Sequence, residues 1–271
     1  MRTIRIILGG IFIAAAMILF HSSREPALKV NEVIDKTMAS IQAENILSFT
    51  FTRLERIKGK MESSSSEIKL ETSPFKLYLK TLGPTGGKEL LYGVGSGKKA
   101  IVEPNAFPYI TLKLDPFGSL LRDNQHHTIF EIGFTYFGKI MASFSKKINY
   151  RYKDFCVIDG ELEWQGRKCI SVTCNYPQFA YVNYVVKKDE TLTTIASRLN
   201  LSDYMILEKN SATVDDYYDV EEGEEILIPN LYCKKITFYV DKENFLPIRQ
   251  LIYDDLGLFE EYRYLNVVLP K

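Results

Sequence analysis

Apolar residues along this chain follow two periods, helical near the start and again near the middle, alternating almost everywhere else. Leu28, Val30, Val33, Ile34, Met38 and Ile41 recur at helical spacing with Lys29, Asn31, Glu32, Asp35 and Lys36 opposite, which predicts an amphipathic helix. Period two then takes over. Leu47, Phe49 and Phe51 alternate with polar residues, and the phase slips to Leu54 and Ile57, as a bulge would produce. Short strands follow over Ile68 to Glu71, Phe75 to Lys80, Glu89 to Val94, Lys99 to Glu103 and Tyr109 to Leu114. Between them stand the turn signals Lys58-Gly59-Lys60, Gly83-Pro84, Gly86-Gly87 and Gly95-Ser96-Gly97. A second helix is predicted from Thr128 to Phe144, with Ile129, Ile132, Tyr136, Phe137, Ile140, Met141 and Phe144 on one side. Strands resume at Phe155 to Glu163, Lys168 to Cys174 and Phe179 to Val186. After an interruption they continue at Lys234 to Val240, Pro247 to Tyr253 and Phe259 to Val268. The pattern predicts an α+β fold, a curved antiparallel sheet covered by helices, with a compact unit inserted late.

That unit spans 184–229. Tyr184-Val185-Val186 reads as a strand, Thr191 to Leu199 as a helix, and a second helix begins at the cap Ser202 and runs toward Asn210. Gly223 then turns the chain into a strand ending at Ile228-Pro229. The ordered elements Tyr184-x-Val186, Thr191-Leu192, Ile195-Ala196, Asn210, Gly223 and Ile228-Pro229 closely resemble the lysin-motif (LysM) module. The resemblance implies a βααβ fold that binds N-acetylglucosamine glycans, usually peptidoglycan, in a shallow groove. Carried onto this chain, the groove would be Asp189, Glu190, Thr191, Leu192, Asn210, Ser211 and Ala212. The family usually has Gly-Asp-Thr where this chain has Asp189-Glu190-Thr191, which adds a charge at the groove lip. Leu192 also reads simply as core, and Asn210 as a cap or turn residue. Residues 184–229 hold 4 Lys+Arg against 11 Asp+Glu, a net of −7 in a chain whose total is zero, so the remainder carries +7. Solubility of an exposed module explains this; the alternative is that the acidic stretch Asp215 to Glu225 docks on the basic host or shields the groove until it meets a partner.

Removing the insert leaves a helix, about ten strands and a second helix near the middle. That order is similar to the lipoprotein-carrier (LolA/LolB-like) fold, a curved half-barrel closed by helices over an apolar cavity. The stretch Leu246-Pro247-Ile248 through Tyr253-Asp254-Asp255-Leu256-Gly257-Leu258-Phe259-Glu260-Glu261-Tyr262 looks like its closing strands, and still more like those of a group of uncharacterised bacterial envelope proteins. The domains expected are a signal peptide or N-terminal anchor over 1–23, the half-barrel over 24–183 and 230–271, and the LysM unit over 184–229. Candidate cavity residues are Phe49, Phe51, Leu77, Leu79, Ile110 and Leu112 on the sheet, facing Phe130, Phe134 and Phe137 on the helix. A solid core uses the same residues equally well.

Arg2 and Arg5 precede the uncharged run Ile6 to Phe20, the layout of an export signal. The run is shorter than the roughly 20 residues that span a bilayer, so cleavage and retention as an inner-membrane anchor are both open. Export permits disulfides among Cys156, Cys169, Cys174 and Cys233, although four free buried thiols are the simpler expectation. Cys169 and Cys174, at odd spacing on one strand, point to opposite faces about 17 Å apart and should not pair.

Lys+Arg and Asp+Glu both number 34 in 271 residues, which argues against a nucleic-acid partner. Chemistry is scarce. His126-His127 reads as an exposed loop pair, and Glu161 and Glu163 as solvated carboxylates beside Trp164. Gly93-Val94-Gly95-Ser96-Gly97-Lys98-Lys99 lacks the phosphate-loop spacing, and no GxSxG or HExxH is present. The expected protein is a non-enzymatic, exported periplasmic or envelope protein without metal or cofactor. Its partners are peptidoglycan, through the insert, and a lipid or lipoprotein acyl chain in the half-barrel. The alternative is a structural envelope adaptor with a solid core that holds a protein partner at the wall; a wall hydrolase is the third reading.

Overall fold

The computed structural model describes residues 28–270 except 84–86, 96 and 108. The export-signal reading of 1–23 and the turns proposed at Pro84, Gly86 and Ser96 lie outside the described residues. Among the described residues no helix is long and apolar enough to cross a membrane.

Helix α1 (Val30–Ala43) leads into strands β1 (Ile46–Ile57), β2 (Lys60–Thr72), β3 (Phe75–Leu82), β4 (Glu89–Tyr92), β5 (Ala100–Glu103) and β6 (Leu112–Leu114). Short helix α2 (Ser119–Arg122), a 3-10 turn (Ile129–Glu131), α3 (Phe134–Lys147) and α4 (Tyr152–Phe155) follow. Then come β7 (Cys156–Trp164), β8 (Arg167–Asn175), β9 (Tyr181–Val185), α5 (Leu192–Leu199), α6 (Asp203–Lys209), β10 (Glu225–Pro229), β11 (Lys235–Asp241), β12 (Pro247–Tyr253) and β13 (Leu258–Val268). Eleven strands form one antiparallel sheet in the order β6-β5-β4-β3-β2-β1-β13-β12-β11-β8-β7, while β9 and β10 pair apart from it. The sheet is open and curved, because strands of L-residues twist progressively and nothing joins β6 to β7.

Helices α1 and α3 close the concave face. Val33, Ile34 and Ile41 of α1 are buried, as their spacing dictates, and α3 sends Phe134 against Phe49 and Tyr264 and Phe137 against Phe238. The predicted helix from Thr128 to Phe144 is two pieces. Gly133 interrupts it at φ 97°, with Leu70 Cδ2 2.6 Å from where a Cβ would stand. Any other residue there would strain the backbone and push Leu70 aside, and α3 starts from this glycine.

Three further expectations change. The bulge between Phe51 and Leu54 does not exist, since β1 pairs β2 without a break from Ile46↔Glu71 to Ile57↔Lys60. Alternation simply continues inward through Arg53 and Glu55, so the inner face becomes charged where a phase slip was expected. The strand expected from Tyr109 begins only at Leu112. The cysteines are not four free thiols: Cys156 and Cys174 are directly opposite on β7 and β8 and form a disulfide, leaving Cys169 and Cys233 free and buried.

Residues 184–229 run strand, helix, helix, strand around a core of their own: Val186, Leu192, Ile195, Ala196, Leu201, Ile206, Val214, Ile226 and Ile228. The unit is not a free-standing ball. Tyr204 and Met205 of α6 belong to the host core, an apolar burial of about 1.5–3 kcal/mol for each such side chain. Charged contacts add to this. Arg56 pairs with Asp254 and reaches Glu208 of α6, and Arg122 pairs with Asp203. The acids that meet the host are therefore Asp203 and Glu208; in the stretch from Asp215 to Glu225 the host is met by two tyrosines, the Tyr218 hydroxyl donating to the Phe117 carbonyl and the Tyr217 ring lying against the Arg122 guanidinium.

Candidate functional site

Beneath the segment that leads from β6 to α3, a cavity of about 190 Å³ separates helices from sheet. The segment, residues 115–133, forms its roof. Its floor is the inner face of β1 to β5 and of β12 and β13, because period-two alternation puts Phe51, Leu79, Leu90, Val102 and Ile252 on one side. Ile129, Ile132, Phe137 and Ile140 close it from above. Polar residues share the lining, with Arg53, Glu55, Gln125, His127, Glu131 and Gln250 near the histidine pair and Ser66, Thr81 and Lys88 farther across the sheet. A space with both apolar and polar walls suits an amphipathic molecule.

Glu55 and His127 of this lining belong to a buried network. His126 donates its backbone N–H to Glu55 (3.1 Å) and ring Nε2–H to the Arg56 carbonyl (2.9 Å), while Nδ1 lies 2.8 Å from Glu260 Oε1. His127 Nε2 reaches the same Oε1 at 3.1 Å, and the Tyr232 hydroxyl donates to Glu260 Oε2 at 2.9 Å. Tyr262 donates to Glu55 at 2.8 Å. Burial opposes the charge on His127, but the adjoining Glu260 carboxylate outweighs it and lifts the imidazole to about 9. Burial likewise opposes charge on Glu260, and the His127 charge with hydrogen bonds from both histidines brings it down to about 2. The histidine pair is thus not an exposed loop; His126 is fully buried, sandwiched between the rings of Tyr204 and Phe259 at 4.2 Å each. Among the described residues no group of His, Cys, Asp and Glu is arranged to hold a metal ion.

Of the cavity residues expected from sequence, Phe51, Leu79 and Phe137 line the space. Phe49, Leu77 and Phe134 pack as solid core beside it, and Leu112 is partly buried against that core. Ile110 is a correction, 51% exposed on a loop outside β6. So is Phe130, whose ring packs against Phe75, Tyr92 and Phe117 away from the cavity. Sequence reasoning missed Arg53, Glu55, Glu131 and Gln250, since a charged or polar residue, whether on an alternating strand or in a helical stretch, reads as outward-facing. The adjacency of His126 and His127 was the one signal.

In the insert, Asp189 has the left-handed backbone (φ 60°) that the family's glycine would adopt easily. Glu190 is paired: it accepts from the Tyr184 hydroxyl (2.6 Å), the Lys187 N–H (3.0 Å) and Arg198 (2.7 Å). Thr191 caps α5, and Leu192 is core. Asn210 clips α6 to β10, donating to the Ile206 and Leu227 carbonyls and accepting from the Leu227 N–H. Asp189, Ser211 and Ala212 are exposed.

An open antiparallel half-barrel with an amphipathic cavity under a helical cover is the class that fold and site define. By sequence, the chain belongs to the family described as protein of unknown function DUF1571, which matches residues 46–194. No curated protein matches it. Similar solved structures include the lipoprotein LppX from Mycobacterium tuberculosis, at 9% identity and TM-score 0.42, with 89% of this chain and 96% of that one covered. LprF from Mycobacterium bovis is similar at 10% identity and TM-score 0.40, covering 89% and 95%. A LolA superfamily protein from Nitrosomonas europaea aligns at 9% identity and TM-score 0.29, covering 90% and 95%.

Proposed function

We propose that this protein is an exported, non-enzymatic envelope protein that shelters an acyl chain, from a lipid or a lipoprotein, in the cavity beneath residues 115–133. The observation that carries the reading is that space itself: an unfilled gap between helices and sheet, with apolar walls at Phe51, Leu79, Leu90, Val102 and Ile252 and a hydrogen-bonded, charged network beside it. A solid-core adaptor has no use for such a gap, because tight packing alone would stabilise it more. At about 190 Å³ the cavity is below the roughly 300–1,000 Å³ of a pocket for a drug-sized ligand, so it suits part of one chain rather than a whole diacyl lipid. The basic-then-apolar N-terminus supports a place in the periplasm, secreted or anchored at the inner membrane by residues 6–20.

The insert supports a second contact. Its βααβ order, its separate core and the left-handed Asp189 fit a lysin-motif module, and the ion pair with Arg198 offsets the Glu190 charge that sets its lip apart from the family pattern. In this reading Asp189 to Leu192 and Asn210 to Ala212 face the N-acetylglucosamine units of peptidoglycan, largely through backbone groups. Native mass spectrometry of the full chain tests the first part: a carrier retains a lipid mass, and an adaptor gives the polypeptide mass alone. Co-sedimentation with purified peptidoglycan tests the second, and protein left in the supernatant would exclude it.

A further inference from the structure

The roof of the cavity is tied down at two places by different parts of the molecule. Its second half, residues 125–131, is bound to the host: Gln125 to Arg53, His126 to Glu55 and Glu260, His127 to Glu260 and Tyr232. Its first half carries Leu120, Leu121 and Asp123 into the cavity lining, yet Leu120 remains 75% exposed. Asp115, at its start, pairs with Lys99 of the host, but from Phe117 to Arg122 the long-range hydrogen bonds go to the insert, beginning with the Tyr218 hydroxyl, which donates to the Phe117 carbonyl (3.2 Å). Arg122, itself buried, donates to Asp203 Oδ2 (2.8 Å) and Thr193 Oγ1 (2.9 Å), and its guanidinium lies 3.4 Å from the centre of the Tyr217 ring. Thr193 in turn donates to Asp203 (2.9 Å), closing a triangle around one arginine.

The same triangle adjoins the face proposed for glycan. Thr193 is the residue after Leu192, and the Leu192 N–H donates to the carbonyl of Tyr217, the residue stacked on Arg122. A ligand seated on Asp189 to Leu192 therefore bears directly on two of the three groups that grip the arginine.

The geometry points to a latch: Arg122 is the positioning residue through which the insert holds residues 117–123 shut over the cavity. Releasing it lets that half of the roof lift while 125–131 stay in place. The latch rests on the carrier reading for what passes through the opening, but its mechanical part does not. It also gives the small cavity a way to admit a longer chain, and thermodynamic reciprocity requires that a chain wedging the roof open alters binding at the insert by the same factor.

Hydrogen–deuterium exchange on the full chain, in wild type and in Asp203→Asn, Thr193→Val and Arg122→Met, tests the mechanical part. Peptides covering 117–123 should exchange at least tenfold faster in the variants, with 125–131 and α1 unchanged. The two milder variants guard against a general loss of fold in Arg122→Met. Equal exchange at 117–123 in wild type and all variants would overturn the latch. Stopped-flow entry of a dansyl-labelled single-chain fatty acid should be severalfold faster in Asp203→Asn; faster exchange with unaltered entry would overturn gating. A probe that binds neither protein would defeat the carrier reading, leaving the exchange data to decide the tie.

Discussion

His127 Nε2, on the cavity wall, lies 3.1 Å from Glu260 Oε1, and each favours the charge of the other against the cost of burial. Folded His127 keeps its proton to about pH 9, against 6.5 for an ordinary histidine. Its contribution to stability is complete below pH 6.5 and is lost as pH rises through about 9. Glu260 acts oppositely: its contribution is complete above pH 4.5 and is lost as pH falls through about 2. Thermal melts should therefore plateau between pH 4.5 and 6.5 and decline on the alkaline side by at most about 3 kcal/mol, since one pKa unit is about 1.4 kcal/mol. His127→Gln should flatten the alkaline decline. An unchanged decline in that variant would place its origin elsewhere.

The disulfide joins directly opposed residues of β7 and β8 at a sequence separation of 18. Closing a loop of that order stabilises by about 3 kcal/mol through the unfolded chain. Cys156→Ala/Cys174→Ala should lower stability by about 2–4 kcal/mol in urea titrations, and reductant should do the same to wild type but nothing further to the variant. Cys169, whose thiol burial pushes up to about 11, and Cys233, raised further by burial, should resist alkylation until the protein unfolds. Native labelling of either would contradict the packing described.

Asn210 bonds both backbone groups of Leu227, so Asn210→Ala should leave those groups unpaired and cost about 1–3 kcal/mol. Exchange should rise in β10 and the 2-stranded sheet first, because the insert has its own core. Ser211→Ala, on an exposed residue nearby, should change stability by less than about 0.5 kcal/mol. Loss of peptidoglycan co-sedimentation in that second variant would then report on contact with sugar and not on folding.

What could be read from residues alone follows from how strongly a period signals burial. Val33, Ile34 and Ile41 place the face of α1 without ambiguity, and Leu192, Ile195 and Ala196 do the same inside the insert. Arg53 and Glu55 defeat the method: they sit inside, so their alternation looks like a slipped phase when polarity is taken to mean solvent. Gly133 hides similarly, because apolar positions on both sides stay in step across the break. The disulfide needs cross-strand register, which pairs Cys156 with Cys174 and which spacing along one strand does not contain. The latch on Arg122 draws on residues 71 and 81 positions away in sequence, beyond the reach of any local pattern.

The most direct test of the carrier account is to fill the cavity. Leu90 lines it from β4, and Leu90→Trp places an indole in the space while keeping the position apolar. Binding of a dansyl-labelled fatty acid should weaken at least tenfold in the full-length variant, with its melting temperature within a few degrees of wild type. Equal binding by the two proteins would show that the chain sits elsewhere and would contradict the assignment of this cavity as the site.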